Sequence, residues 1–232
     1  MAAGGVSVSI NRTNGQSCGN WKAGTRLSII SIDDPTIKTF SIWVCPRKEL
    51  GTTKRFLAGS RDILSITSAN NWNTTMNGAS VSVGAVTWDT WQNWIITYDG
   101  SAWKYYKDEV FKKSITTANY STLNVLGSTT TAYLGFAKKF RVYDVQFTAE
   151  EIAKTAAGGE VTRGLKYSWD LTTDVNGDFG STPAWTNTGI QFGNFDMTNE
   201  VAIRNSRVGA TDKFLVNQVF GDTIMVSAIA ES

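Results

Sequence analysis

The chain contains no histidine at all. That absence removes Ser-His-Asp and Cys-His mechanisms, and with them any His-ligated zinc. Its two cysteines, Cys18 and Cys45, are too few for a disulfide framework or a cysteine-rich zinc site. One bridge between them can be drawn, but free thiols are the expectation. Charge of one sign is lacking too: 22 basic and 20 acidic residues, mixed along the chain, leave a formal net charge of +2. No electrostatic footprint for nucleic acid follows from that balance. The short pairs Lys112-Lys113 and Lys138-Lys139 read as solvated strand ends. No run approaches the roughly 18 apolar residues of a membrane span. The opening MAAGGVSVSI has neither a basic region nor a long apolar segment, so it does not read as a secretory signal. A chain kept inside a cell until assembly or lysis is expected, unless a signal has already been removed.

What is present points to β structure. Nine Trp and eleven Phe accompany only three Pro and few helical patterns, which favours a sandwich or barrel over an α/β fold. The length fits one large all-β domain of about 200 to 250 residues, or a domain with extensions. The most informative stretch is Trp88 to Lys113, where Trp94, Ile96 and Tyr98 alternate with Ile95 and Thr97. Asp99-Gly100-Ser101 breaks the run before Trp103 to Tyr106 resumes it, and a second reversal is expected at Asp108-Glu109. Glu at positive φ is strained, so that second turn is expected to be a looser one that avoids the left-handed region. Trp88 and Trp91 read as a turn feeding Trp94 into the core.

Further strands are expected at Leu27 to Ile32, Phe40 to Cys45, Phe56 to Ser60, Ile63 to Thr67 and around Val81 and Val83. Val125-Leu126, Tyr133-Leu134 and Phe140 to Tyr143 complete the set. Ser68 to Gly78 and Ser114 to Leu123 read as polar loops. A single helix is expected from Thr148. Thr148 and Glu151 form a capping box, Phe147 and Ile152 close a hydrophobic staple, and Gly158-Gly159 ends the helix.

Several of these pieces together resemble the laminin-G-like and pentraxin-like members of the concanavalin A-like lectin/glucanase superfamily. Phe40-Ser41-Ile42-Trp43-Val44-Cys45-Pro46 is similar to an early strand of that family, and Phe56 to Ser60 with Ile63 to Ile66 to the next two. Trp94 to Tyr106 resembles its W-x-x-V-A-V-T-Y-D-G hairpin. Gly135 to Tyr143 followed by Phe147-Thr148-Ala149-Glu150-Glu151-Ile152 resembles its close. The resemblance implies an all-β jelly-roll sandwich over residues 26–185, with an N-terminal arm at 1–25 and a C-terminal extension at 186–232. In the arm, Val6, Val8 and Ile10 alternate as one strand candidate. In the extension, Phe214 to Phe220 and Thr223 to Ile229 flank Gly221-Asp222 as a hairpin candidate.

Candidate sites follow from residue types. Trp72, with Asn71 and Asn73, is a ligand-binding candidate, because an aromatic face stacks well on the C–H groups of a sugar; the alternative is a Trp tucked against its own loop or a neighbouring strand. Asp174, Asn176 and Asp178 begin like an EF-hand loop, but Phe179 and Trp185 stand where Gly and Glu belong, leaving a structural calcium ion or a solvated turn. The acidic calcium loop implied by the resemblance is also replaced, with Lys138-Lys139 where relatives have Asp-Glu; no cofactor is expected. The paired-carboxylate stretch of the superfamily's glucanases is missing, so no catalytic residue is assigned. Phe214, Val216, Ile224, Val226 and Ile229 are candidate assembly residues, because the tail strand is apolar on both faces.

Two functions therefore stand as expectations. The first is a non-catalytic virion structural or assembly protein, phage capsid-decorating or tail-associated, that displays a lectin-like sandwich on the virion surface. It would be homo-oligomeric or docked on other subunits, without nucleic-acid or membrane partners. The second is an extracellular carbohydrate-binding module of an adhesin or polysaccharide-degrading enzyme. Fold alone does not choose between them.

Overall fold

The computed structural model describes residues 6–9, 16–21, 26–47, 53–117, 122–127, 135–172, 186–188, 191–195, 214–216 and 223–228. In chain order the strands are β1 Val6–Ser9, β2 Gln16–Trp21, β3 Arg26–Ile32, β4 Thr39–Pro46, β5 Lys54–Ala58 and β6 Asp62–Ile66. They continue as β7 Asn71–Thr74, β8 Val81–Ala85, β9 Gln92–Tyr98, β10 Ala102–Lys107, β11 Val110–Thr116, β12 Leu123–Gly127 and β13 Gly135–Tyr143. The helix α1 spans Ala149–Ala156, and β14 Leu165–Trp169, β15 Thr186–Thr188, β16 Gln191–Phe195, β17 Phe214–Val216 and β18 Thr223–Ala228 complete the chain.

The chain divides into two units, residues 17–193 and residues 1–16 with 194–232. The first is a jelly-roll β-sandwich. One sheet runs β11-β10-β9-β4-β13-β2-β16 with β14 also paired to β13, and the other runs β15-β3-β12-β5-β6-β7-β8. Period-2 alternation sorts each strand between core and outside. In β4, Phe40, Ile42 and Val44 enter the core with Trp94 and Ile96 of β9, Trp103 and Tyr105 of β10, and Phe140 and Val142 of β13. They meet Phe56, Leu57, Leu64, Ile66 and Trp72 from the facing sheet. Tyr105 Oη donates to Thr74 Oγ1 at 2.8 Å, a buried hydrogen bond between the sheets. No helix among the described residues is long and apolar enough to cross a membrane.

The meander expected between Trp88 and Lys113 is present as β9, β10 and β11. Its second turn overturns the expectation of a loose connection. Lys107 pairs with Val110, which leaves two loop residues, and both Asp108 (φ 51) and Glu109 (φ 61) are left-handed. A two-residue loop with both residues at positive φ matches the twist of the strands it joins, so pairing along the hairpin outweighs a local cost of roughly 1–2 kcal/mol at each position. Asp108 is tied down on both sides: its N–H donates to Asn93 O at 2.9 Å and its Oδ1 accepts the Asn93 N–H at 2.8 Å.

Two further readings are corrected. The stretch expected as a loop from Ser68 to Gly78 contains β7, which pairs Ser65 with Asn73 and Asn71 with Ala85. The N-terminal arm, read with one strand candidate at Val6 to Ile10, also contains β2, whose pairing with Gly135–Ala137 supplies the order that its Gly-, Asn- and Ser-rich sequence does not encode. The strand candidate at Tyr133-Leu134 lies outside the described residues.

The second unit is a three-stranded antiparallel sheet in the order β1-β18-β17. Its register aligns Val6, Val226 and Val216 across the three strands, so the alternating run of the N-terminal arm pairs with the tail strand. The turn expected at Gly221-Asp222 lies outside the described residues.

Candidate functional site

The outer face of the larger sheet is built around α1. The Thr148 side chain accepts the Glu151 N–H at 3.2 Å, and the Glu151 carboxylate accepts the Thr148 N–H at 2.9 Å, the capping box read from the sequence. Arg163 grips the same carboxylate with Nε at 2.7 Å and Nη2 at 2.5 Å, while Nη2 also donates to Gln146 O at 2.8 Å. Hydrogen bonding from Arg163 holds the Glu151 carboxyl below its ordinary value. The helix is thereby fixed at its first turn. Its apolar underside, through Ile152, packs with Ile95, Tyr143, Phe147 and Val161.

Between this helix and the tip of the β10–β11 hairpin lies a cleft of about 480 Å³, lined by Tyr106, Glu109, Val110, Gln146, Phe147, Ala149, Ile152 and Ala153. That volume is within the range of small-molecule sites, about 300–1,000 Å³. Val110 and Phe111, 54% and 52% exposed, are the large hydrophobic side chains that stand out among the described residues. The Phe111 ring meets Tyr106 edge-on at 5.6 Å, because the two residues are partners across the hairpin. Aromatic faces beside one carboxylate and one amide can stack on the apolar C–H surface of a ring while accepting and donating hydrogen bonds at its hydroxyls. Among the described residues Glu109 is the carboxylate of the lining.

A second feature of the same face lies at β4 and β13. Trp43 and Lys138 are Cα partners, and the Lys138 ammonium sits 5.8 Å from the Trp43 ring centroid and 4.5 Å from that of Trp91. A bulge follows immediately, with Lys139 at φ 50 and its ammonium on Gly158 O at 3.2 Å and Glu160 at 3.3 Å. The expectation of two merely solvated lysines is therefore corrected: one lies over two indoles and the other ties β13 to the end of the helix.

The residues singled out from sequence fare differently. Trp72 is 0% exposed, so no ring face is open to a sugar; its indole N–H donates to Gln92 Oε1 at 3.0 Å and its ring meets Trp94 edge-on at 5.4 Å. The sugar-stacking reading of Trp72 is thus corrected in favour of packing. Asn73 is buried and donates to Ser80 Oγ at 2.9 Å, while half-buried Asn71 donates to Ala69 O at 3.4 Å; both hold turns rather than a ligand. Asp174, Asn176 and Asp178 lie outside the described residues, as does Ile229. Among the described residues no three His, Cys, Asp or Glu side chains cluster as a metal site. Phe214 and Val216 fall on β17, and Ile224 and Val226 on β18. Trp43, Trp91, Tyr106 and Phe111 were not singled out, although the alternation of β4 already assigns Trp43 to the face opposite Phe40, Ile42 and Val44.

No protein-family model matches the chain. No curated protein matches it either. Solved structures do. A Bacteroides ovatus protein provisionally classed as carbohydrate binding is similar with a TM-score of 0.64 and 14% identity, over 78% of this chain and 60% of the other. The heptameric SAP-like pentraxin of Limulus polyphemus is similar with a TM-score of 0.57 and 12% identity, over 78% of this chain and 96% of the other. The chain thus spans three fifths of the first neighbour and nearly all of the second. At these identities the likeness establishes the jelly-roll sandwich, the fold expected from the sequence.

Proposed function

We propose that this chain is a non-catalytic, lectin-like module that binds a neutral glycan in the cleft between the β10–β11 hairpin and α1. The observation that carries the reading is the exposed Phe111 ring, edge-on to half-buried Tyr106, which lines the cleft with Glu109 and Gln146. A sugar ring stacks on the aromatic pair, and Glu109 and Gln146 select its hydroxyls. The carbohydrate binding ascribed to the Bacteroides ovatus protein, on the same fold, supports this reading. A neutral-glycan microarray with the full chain tests it. Binding to at least one neutral glycan is expected, weakened about tenfold, or 1.4 kcal/mol, by Phe111→Ala or Tyr106→Ala. No retention on any glycan, or retention indifferent to both substitutions, overturns it.

A second reading concerns where such a module works. The pairing of β1 with β18 draws segments from both ends of the chain into one small sheet, which suits an attachment unit on a virion or other large assembly, with copies of this chain as partners. An extracellular module of an adhesin or polysaccharide-degrading enzyme is the alternative. Purifying particles of the source and probing their surface with an antibody to residues 53–117 separates the two.

A further inference from the structure

We infer that the outer face of the larger sheet holds a second subsite, formed by Trp43, Lys138 and Trp91, that takes the carboxylate-bearing residue of an acidic glycan. The inference rests on the glycan reading above and extends it to a separate patch with its own selectivity.

Adjacent strands fix the geometry. Trp43 and Lys138 face each other directly across the β4–β13 pair, so their relative position is set by backbone hydrogen bonds rather than by a loop. The ammonium stands within cation–π range of both indoles, at 5.8 and 4.5 Å, against a limit of about 6 Å. All three side chains are half-buried, so the cation is held in place yet remains within reach of solvent. Arg47 lies 5.4 Å over the Phe136 ring, and Phe136 pairs with Cys45 in the same strand couple, which brings a second cation to this part of the face. Asp89 is the acidic residue of the adjoining turn and is exposed. Among the described residues the Trp91 indole N–H is buried without an acceptor, so the ammonium and the ring faces form the subsite, not that N–H.

An acidic sugar has the complementary parts. Its carboxylate forms a charge-assisted hydrogen bond with the ammonium, and its C–H face lies on an indole. The cleft behaves oppositely. Among the described residues its lining contains Glu109 and no Lys or Arg, so it disfavours the same ligand.

The experiment is a calorimetric titration of the full chain with an oligogalacturonate and with its fully methyl-esterified, uncharged form. The acid form is expected to bind about tenfold more tightly, as one charge-assisted hydrogen bond permits. Lys138→Gln should abolish that ratio while leaving affinity for the ester and the melting temperature unchanged, and Lys138→Arg should preserve part of it. Phe111→Ala should weaken the ester, which the cleft takes, and leave the acid form held at Lys138, so the ratio should rise. Equal affinity for the two forms, or a ratio that survives Lys138→Gln, overturns the subsite even if neutral glycans still bind through Phe111. Lys138-dependent binding of the acid form with no neutral binding at all would retain the subsite and remove the cleft reading instead.

Discussion

The indole N–H of Trp72 on β7 donates to Gln92 Oε1 on β9 at 3.0 Å, joining the two sheets through a bond buried at both ends. Gln92 is positioned for this by its own amide, which donates to Thr87 O and, at 3.3 Å, to Thr90 O. Replacing Gln92 with Met conserves volume but strands a buried N–H, at a cost of about 1–3 kcal/mol. Urea denaturation should register that loss as a lower midpoint with an unchanged slope. A midpoint equal to that of the parent chain would mean the bond contributes nothing.

The same pair explains what the sequence could and could not reveal. Phe40-Ile42-Val44 and Trp94-Ile96 announce their face by alternation, and Thr148 with Glu151 announces a helix start; each is a local signal that the folded chain obeys. Asn71-Trp72-Asn73-Thr74 carries no such signal. Its strand arises from partners on β6 and β8, and its Trp is driven inward by an acceptor twenty residues further on. The cleft was illegible for a related reason. Tyr106 and Glu109 belong to a hairpin, and Ile152 and Ala153 to a helix, and only tertiary packing brings them together.

Glu109 occupies a left-handed position that glycine fills without a Cβ penalty. Glu109→Gly should therefore stabilise the sandwich by about 1 kcal/mol. For a chain of this size the melting temperature should rise by about 2–4 °C. The variant also removes the cleft carboxylate, so weaker binding of a neutral glycan should accompany the gain in stability. A fall in melting temperature would mean that the Glu109 side chain makes a stabilising contact larger than the backbone strain.

Asp99 governs the other turn of the meander. Its carboxylate is bound by Lys104, at 2.8 Å, and by the Ser101 and Ala102 N–H groups at 2.9 Å each, which hold its pKa well below the ordinary carboxylate range. A carboxyl group with a depressed folded pKa stabilises fully above its unfolded value, about 3.9, and loses that contribution as pH falls below it. Arg163 holds Glu151 low, and Asp34, which burial alone would raise, is held low by Lys166 and Thr36, so Asp99 accounts for only part of the acid response. Asp99→Asn should flatten the decline of melting temperature below about pH 4 while lowering stability at neutral pH, where the Lys104 pair is lost. Identical acid limbs for the two proteins would exclude Asp99 as a contributor.

The small sheet of β1, β18 and β17 leads to the last expectation. Val6, Val226 and Val216 share one row of its register, and the sequence of β18, Thr-Ile-Met-Val-Ser-Ala, offers apolar residues at both alternating sets of positions. A sheet of so few strands is stable only with cover over its apolar surface, since small isolated sheets are marginal in water. The sandwich has its own core, and its larger sheet ends in its own strands β2 and β16, with β16 at the edge. A chain limited to residues 16–195, which keeps both strands, should fold cooperatively and run as a monomer in size-exclusion chromatography with light scattering. The full chain should self-associate, and substituting Val226→Lys should disperse it without changing the melting of the sandwich. Failure of residues 16–195 to fold, or a monomeric full chain, would make the small sheet part of the folding unit and return attachment to the glycan-binding face.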